Sequence, residues 1–134
     1  PNTMPTSWAD GPEVELNLGT KPGLKYDETV LMVDAGAKVK LTFSNSDDML
    51  HNLVIVKPGD AVDKVAELSM QLGLKGEEMN YVPESDLILY HTGILQPETS
   101  ETLYFTAPKE PGYYMYVCTF PGHAQVMRGT LMVE

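Results

Sequence analysis

The sequence predicts an all-β domain, an antiparallel sandwich or barrel with one helical insertion. Three observations predict this class. About eight short segments alternate apolar and polar residues with a period of two, which is typical of half-buried strands. Turn residues separate these segments, and a single segment changes to a helical period. The strand–helix–strand rhythm of a parallel sheet is missing, and the 134 residues suit one domain because single domains cluster at about 100–150 residues.

The chain opens with a stretch unlike the rest. Residues 1–12 mix Pro, Asn, Thr, Ser and Gly around a lone Trp8, and this composition predicts an arm or linker with one aromatic side chain available to dock. The folded domain is therefore predicted to span 13–134. Its eight predicted strands are 14–18, 30–33, 39–43, 53–56, 87–90, 101–106, 113–118 and 129–133.

The third of these strands, 39–43, shows the cleanest alternation of apolar residues with lysine, threonine and serine. The helical insertion is predicted around residues 60–73, where apolar residues recur at spacings of three and four. These apolar residues are Ala61, Val65, Leu68 and Leu72. Asp60 is the predicted N-cap of this helix and Gly73 is its predicted C-cap.

The composition excludes several classes of function. Nineteen Asp and Glu against nine Lys and Arg leave a formal net charge of −10, and such a chain lacks the basic surface that nucleic acid binding requires. No run of about 18 or more apolar residues occurs, so we expect the chain not to span a membrane. The single cysteine, Cys118, excludes an intrachain disulfide, a four-cysteine zinc site and an iron–sulfur cluster held by this chain alone.

A short motif near the C-terminus carries the chemistry. Cys118, His123 and Met127 place a thiol, an imidazole and a thioether within ten residues. The turn at Pro121 and Gly122 folds the chain back, and a spacing of four brings the histidine and the methionine to one side of a helical turn. Thiolate and thioether are soft donors and imidazole is borderline, so this mixture selects copper over magnesium, calcium or manganese.

A trigonal copper site of this kind needs a second imidazole. His51 begins a strand directly after a polar loop, which places it at an end of the predicted sandwich where it could meet the Cys118 loop. His91 lies inside an apolar run, and we interpret it as a surface or hydrogen-bonded strand residue. His51 is therefore the predicted second histidine ligand.

The sequence here resembles the blue-copper (cupredoxin) family, in particular its azurin and auracyanin branch. The likeness is carried by the His51–Asn52 pair and by the spacing of Cys118, His123 and Met127, and it extends over most of the chain. It implies an eight-stranded Greek-key β-sandwich holding one type 1 copper ion. The implied equatorial ligands are His51, Cys118 and His123, with Met127 as the weak axial ligand. The implied activity is electron transport by Cu(II)/Cu(I) cycling, in a carrier rather than an enzyme.

The resemblance also implies roles for neighbouring residues. Asn52 is expected to tie the two ligand loops together by hydrogen bonding toward Thr119, and its backbone N–H is expected to point to the cysteine sulfur. Because Phe120 is not proline, its backbone N–H is available as a second donor to that sulfur. Leu50 stands where azurins typically carry glycine. This departure from the family leaves open the approach of a backbone carbonyl to copper on the face opposite Met127.

The implied route for the electron is the exposed edge of His123, surrounded by an apolar patch of Leu50, Pro121 and Val126. The expected partners are redox proteins, such as a cytochrome or a copper oxidoreductase, that dock briefly on this patch. The family implies a periplasmic or otherwise extracytoplasmic location. Two alternatives stay open: a copper domain of a larger haem, dehydrogenase or membrane-anchored protein, and a copper storage or delivery protein.

Overall fold

The computed structural model of the protein describes residues 3–134. This part of the chain forms ten strands and one α-helix, and all eight predicted strands are confirmed, with small shifts at their ends. The strands are β1 (Val14–Leu18), β2 (Thr20–Lys21), β3 (Lys25–Tyr26), β4 (Val30–Val33), β5 (Lys38–Asn45), β6 (Val54–Val56), β7 (Ile88–His91), β8 (Thr99–Thr106), β9 (Gly112–Val117) and β10 (Arg128–Val133). The helix α1 spans Ala61–Met70.

Two open sheets pack face to face as a Greek-key sandwich. One sheet has the strand order β1-β5-β8, and the other has the order β4-β10-β9-β6-β7. β1 runs parallel to β5 and β4 runs parallel to β10, whereas the other pairs in these sheets are antiparallel. Val54 of β6 pairs with Val117 of β9. The residues just before β6 and just after β9 therefore share one end of the sandwich.

The two unpredicted strands, β2 and β3, form a separate hairpin. Each has two residues, which is too few to show the alternation that predicts a strand. The turn between them contains Gly23 and Leu24, both with positive φ. The hairpin carries Tyr26 into the core, where its ring packs edge-on against Phe43 and Tyr116.

The main core lies between the two sheets and follows the alternation of the strands, most regularly in β5. Apolar side chains from five strands meet there: Leu31, Val33, Val39, Leu41, Phe43, Leu103, Phe105, Tyr114, Tyr116, Leu131 and Val133. Removal of this apolar surface from water is the main stabilising contribution to such a fold. Cys118 and Met127 belong to the same cluster, so the predicted donors lie at the end of the core and not in a separate pocket.

A second apolar cluster lies between the five-stranded sheet and α1. Val54 and Val56 contribute to this cluster, whereas Leu53 and Ile55 contribute to the main core. β6 is therefore buried on both faces, which explains its unbroken apolar run. The helix contributes Ala61, Val62, Val65 and Ala66. Within residues 3–134, no helix is both long and apolar enough to cross a bilayer.

The N-cap predicted for the helical insertion is confirmed, and the predicted C-cap is wrong. The C-cap is Gln71 and not Gly73, because the chain tightens after the helix into two 3₁₀ turns, Gly73–Lys75 and Glu77–Met79. Asp60 occupies the N-cap position, but its side chain makes no capping hydrogen bond. Its carboxylate instead lies 3.5 Å from the Nζ of Lys64, one turn further along.

The aromatic residue of the predicted N-terminal arm is docked on the sandwich. Trp8 is only 6% exposed, and its ring lies edge-on to Tyr104 of β8 with the ring centroids 6.2 Å apart. Residues 1 and 2 of the predicted arm lie outside the described residues.

Candidate metal centre

Three metal-ligating side chains converge at one end of the main core. The donor atoms of His51, Cys118 and His123 all lie within 4.8 Å of one another, and all three residues are buried. The Nδ1 atoms of both imidazoles approach the cysteine sulfur, at 3.7 Å for His51 and 3.5 Å for His123. Side chains that are distant in sequence therefore meet at one point.

Two of these donors lie on one tight turn, which we name the second ligand segment, 118–127. The backbone N–H of Cys118 donates to the carbonyl of Met127 at 3.1 Å and closes the turn. Inside it, the N–H of His123 donates to the carbonyl of Phe120, and the N–H of Met127 donates to the carbonyl of His123, both at 2.9 Å. Met127 is fully buried in the cluster that contains Cys118. Backbone bonds within the segment thus hold Cys118 and His123 together, and Met127 is buried in the same cluster as Cys118.

The other histidine ends a loop that leads into β6, which we name the first ligand segment, 45–51. His51 and Leu95 form an isolated bridge, with backbone hydrogen bonds of 2.8 and 3.4 Å. The buried amide of Asn45 supports the loop from inside, because its Nδ2 donates to the carbonyls of Met49 at 2.8 Å and of Leu95 at 3.0 Å. A bond within the loop and contacts with Leu95 therefore hold this loop in place.

Asn52 joins the two ligand segments. Its Oδ1 accepts the backbone N–H of Thr119 at 2.8 Å, and its Nδ2 donates to the Thr119 hydroxyl at 2.9 Å. The same Nδ2 donates to the carbonyl of Asn80, and the carbonyl of Asn52 accepts the hydroxyl of Tyr26 at 2.8 Å. Both Asn52 and Thr119 are fully buried, so these bonds fix the distance between the segments.

The cysteine sulfur lies in a dry environment with two backbone donors. Burial raises the pKa of Cys118 to about 11, and backbone hydrogen bonds from Asn52 and Phe120 oppose this rise. Burial, together with the nearby His51 ring, lowers the pKa of His123 and favours its neutral, metal-binding form. A thiolate at this position therefore needs a cation beside it.

His123 itself is more buried than the sequence predicted. Only 2% of His123 is exposed, so the prediction that its ring has an exposed edge is wrong. The reason is its packing: the ring of Phe120 lies 4.9 Å from it, centroid to centroid, and the ring of Tyr81 packs edge-on against Phe120 at the same distance. The turn residues around it are the exposed ones, with Val126 at 64%.

The remaining predicted residues lie as follows. Leu50 is half-buried directly before His51, and His91 is exposed at the end of β7, where its Nδ1 lies 2.9 Å from the carbonyl of Thr92.

Sequence reasoning missed Asp47, whose carboxylate lies 2.8 Å from Nε2 of His51. The only signal in the sequence was an aspartate four residues before the histidine in a polar loop, a common pattern without any metal.

The chemistry of this cluster fits a copper ion. One thiolate and two imidazoles, with a thioether nearby, are the donors typical of blue-copper sites. The raised pKa of Cys118 shows that burial disfavours an isolated thiolate, and a metal cation at the point where the donors meet would supply the compensating charge.

Comparisons with known proteins agree with this chemistry. The chain matches the family described as copper binding proteins, plastocyanin/azurin family, over residues 12–134. It is 34% identical to auracyanin-A of Chloroflexus aurantiacus over 124 residues, which cover 90% of this chain and 75% of that protein. It is 31% identical to azurin of Pseudomonas aeruginosa over 130 residues, which cover 91% of this chain and 86% of that protein. The structure of dithionite-reduced auracyanin from Roseiflexus castenholzii matches with a TM-score of 0.81 and 34% identity, covering 92% of this chain and 99% of that one.

The sandwich, the donor cluster and these likenesses define the class of protein. The chain belongs to the plastocyanin/azurin family of copper-binding proteins. It is a blue copper electron-transfer protein, a carrier and not an enzyme, and its cofactor is one type 1 copper ion. The predicted family, fold class, activity and cofactor are thereby confirmed. These relatives do not favour copper storage or delivery.

Proposed function

We propose that His51, Cys118 and His123 bind the copper ion equatorially and that Met127 is its weak axial ligand. The observation that carries this proposal is the convergence of three buried donor atoms within 4.8 Å. Met127 is supported by its burial beside Cys118 in the main core and by its backbone bond to His123. A trigonal set of two imidazoles and one thiolate with a distant thioether is the donor set of type 1 copper.

Bound copper supplies the one-electron Cu(II)/Cu(I) couple. The role of the protein is to hold the donor atoms in place. The bonds between Asn52 and Thr119 fix one ligand segment against the other without the metal. The N–H groups of Asn52 and Phe120 stabilise negative charge on the sulfur of Cys118. Because all the donors are buried and held in this way, the site can change charge without exchanging ligands.

The absorption spectrum of the copper-loaded protein tests the ligand set. The wild type is expected to show the intense visible thiolate-to-copper band, and Cys118→Ser is expected to lose it completely. His51→Ala is expected to lose or strongly shift the band, whereas the matched control His91→Ala, at an exposed histidine outside the cluster, retains it. Retention of the band in Cys118→Ser would remove the basis of the proposal.

The electron partner is a redox protein, such as a cytochrome or a copper oxidoreductase, that docks over His123. The surface there is the exposed part of the second ligand segment, with Pro121 and Val126, together with the neighbouring Leu50. This small apolar surface is of the kind used in brief electron-transfer contacts, where little area is buried. The buried ring of His123 lies beneath it and provides a short path from the sulfur of Cys118.

Electron self-exchange between oxidised and reduced copies tests this docking surface without a known partner. Val126→Glu adds a charge at the centre of the contact, and like charges facing each other are expected to slow self-exchange about tenfold at low salt. Val30→Glu is the matched control, because Val30 is 52% exposed on β4 and the change in net charge is the same. Equal rates for the two variants would place the docking surface elsewhere.

Two further parts of the proposal concern organisation and location. The division into an arm, 1–12, and a copper domain, 13–134, is supported by the family match, which begins at residue 12. An extracytoplasmic location, such as the periplasm, is supported by the likeness to azurins and auracyanins. Attachment to a larger or membrane-anchored protein is the alternative. Fractionation of the native cells with an antibody against this domain tests the location, and the apparent mass on the same blot tests attachment.

A further inference from the structure

A carboxylate contacts one of the two histidines of the site. Nε2 of His51 lies 2.8 Å from Oδ2 of Asp47, on the side of the ring away from the cysteine sulfur. The side chain of His51 is fully buried, and that of Asp47 is only 9% exposed. A contact this short between a largely buried carboxylate and an imidazole is a charge-assisted hydrogen bond, not a solvent-screened surface pair.

Two neighbouring side chains hold the backbone of Asp47 in place. Its N–H is shared between Oδ1 of Asn45, at 3.0 Å, and the hydroxyl of Thr20, at 3.2 Å. Asn45 is itself buried and bonded to the carbonyls of Met49 and Leu95. The carboxylate is therefore oriented by the fold, and the contact does not depend on a bound metal.

This contact determines which nitrogen of His51 carries the proton. A neutral imidazole has one N–H and one lone pair, and a carboxylate can accept only the N–H. With the proton on Nε2, the lone pair is on Nδ1, the atom that lies 3.7 Å from the sulfur of Cys118.

The two histidines of the site differ in the groups that contact their rings. The ring of His123 packs against the aromatic ring of Phe120, while the ring of His51 bonds to a negatively charged group. A carboxylate that accepts the outer N–H of a ligating histidine raises the basicity of the nitrogen facing the metal. The more basic ligand and the nearby negative charge both stabilise Cu(II) more than Cu(I), because the divalent ion carries the larger charge.

We propose that Asp47 is a positioning residue for the copper site: its carboxylate fixes the Nε2–H tautomer of His51 and lowers the reduction potential of the bound copper. This inference rests on the proposed function, since it takes His51 as a ligand. Asp47 is not one of the converging donors, and it acts on the site through its hydrogen bond to the ring of His51 and through its charge.

Three variants separate the effect of the Asp47 charge from the effect of its hydrogen bond to His51. Asp47→Asn removes the charge and keeps an amide oxygen that can accept the Nε2–H bond. Asp47→Ala removes both. Asp48→Asn is the matched control: it removes the same charge from the next residue, which is exposed, while Asp47 keeps its bond to His51.

Two measurements are made on each variant. Voltammetry of the copper-loaded protein gives the reduction potential, and long-range ¹H–¹⁵N NMR of the metal-free protein above pH 8 gives the tautomer of His51. Loss of such a partner changes metal affinity by about 10- to 100-fold. If Cu(II) affinity falls tenfold more than Cu(I) affinity, the potential rises by about 59 mV.

We expect the potential to rise in both Asp47→Asn and Asp47→Ala relative to Asp48→Asn. We expect the Nε2–H tautomer in the wild type and in Asp47→Asn, and a mixture of tautomers in Asp47→Ala. Equal potentials in all three variants, or an Nδ1–H tautomer in the metal-free wild type, would overturn the inference. If Asp47→Ala does not fold, Asp47→Asn and the wild-type NMR spectrum decide the matter. A wild type without the visible band would refute the ligand set instead, and the NMR result stays independent of it.

Discussion

The first ligand segment, 45–51, and the second, 118–127, differ in where their supporting hydrogen bonds come from. The second is closed by bonds among its own residues, such as that from Cys118 to the carbonyl of Met127. The first has internal bonds from the side chain of Asn45, but it is also held from outside, by the bridge of His51 to Leu95 and by the hydroxyl of Thr20 at the N–H of Asp47. One segment is thus a self-contained turn, and the other takes its shape from the rest of the fold.

This difference shows how a buried metal site can be built before the metal binds. The self-contained turn contributes the thiol, one imidazole and the thioether at distances set by short-range bonds. The externally held loop contributes one imidazole, and its position is set by residues from β2, β5 and the chain around Leu95. The bonds from Asn52 to Thr119 connect the two. Disruption outside the site is therefore expected to displace His51 before it displaces the other donors.

The largest effect is expected from Asn45→Ala, in the externally held segment. The amide of Asn45 accepts from the N–H of Asp47 and from the hydroxyl of Thr20, and it donates to two backbone carbonyls. Its removal leaves several buried groups unpaired, so we expect the free energy of unfolding of the copper-free protein to fall by about 3 kcal/mol. Urea denaturation followed by tyrosine fluorescence measures this change.

Asn17→Ala is the matched control for that variant, because Asn17 is exposed on β1. Its effect is expected within about 0.5 kcal/mol of the wild type. If Asn45→Ala cost no more than Asn17→Ala, the first segment would not depend on its buried amide.

The same difference explains how much of the site could be predicted from the sequence. The second segment was predictable because Cys118, His123 and Met127 have fixed spacings that a turn converts directly into proximity. His51 could be placed at one end of the sandwich from the strand that follows it. The strands were predictable wherever one face was buried, as in β5, because alternation then appears in the sequence.

What the sequence could not predict depends on contacts between distant residues. The β2–β3 hairpin is too short for a periodic signal, and it matters because it supplies Thr20 to the first segment and Tyr26 to Asn52. The contact of Asp47 with His51 requires the turn that Asn45 organises. The burial of His123 depends on Phe120 folding back over its ring. None of these contacts has a spacing distinctive enough to mark it in a single sequence.

A pH-dependent loss of stability is expected from Tyr26, which anchors the carbonyl of Asn52. Burial raises the pKa of Tyr26 well above its usual value, so the folded protein keeps the phenol protonated where the unfolded chain, with a pKa near 10, ionises it. The unfolded state then binds fewer protons, and stability falls as pH rises above about 10, by about 1.4 kcal/mol per pH unit for this one group.

The slope of unfolding free energy against pH, compared between the wild type and Tyr26→Phe, measures this effect. We expect the variant to have the shallower slope above pH 10, even if its stability at pH 7 is lower. Tyr113→Phe, at an exposed tyrosine of β9, is the control and should keep the wild-type slope. Identical slopes for wild type and Tyr26→Phe would show that the phenol does not stay protonated in the fold.

A smaller effect is expected where the two segments are joined. Thr119→Val keeps the shape of the side chain but removes the hydroxyl that accepts from Nδ2 of Asn52. The Nδ2 retains the carbonyl of Asn80, and the backbone bond from Thr119 to Oδ1 of Asn52 persists. We therefore expect a loss of about 1 kcal/mol in unfolding free energy. Thr102→Val, at a half-buried hydroxyl pair between β5 and β8, provides a comparison outside the site. If Thr119→Val lost more unfolding free energy than is expected for Asn45→Ala, the bond between the two segments would be the stronger support.

The smallest effect is expected at the outer surface of the self-contained segment. Arg128, directly after it, donates from Nε to the carbonyl of Ala124 at 2.7 Å and from Nη1 to Asp63 of α1 at 2.8 Å. Asp63 is 70% exposed, so water screens the ion pair, and Asp63→Asn should change the unfolding free energy by less than about 0.5 kcal/mol. The bond to Ala124 survives this substitution, and the reduction potential should equal that of the wild type. A shift in potential would mean that α1, and not only the local bonds of 118–127, helps to position His123.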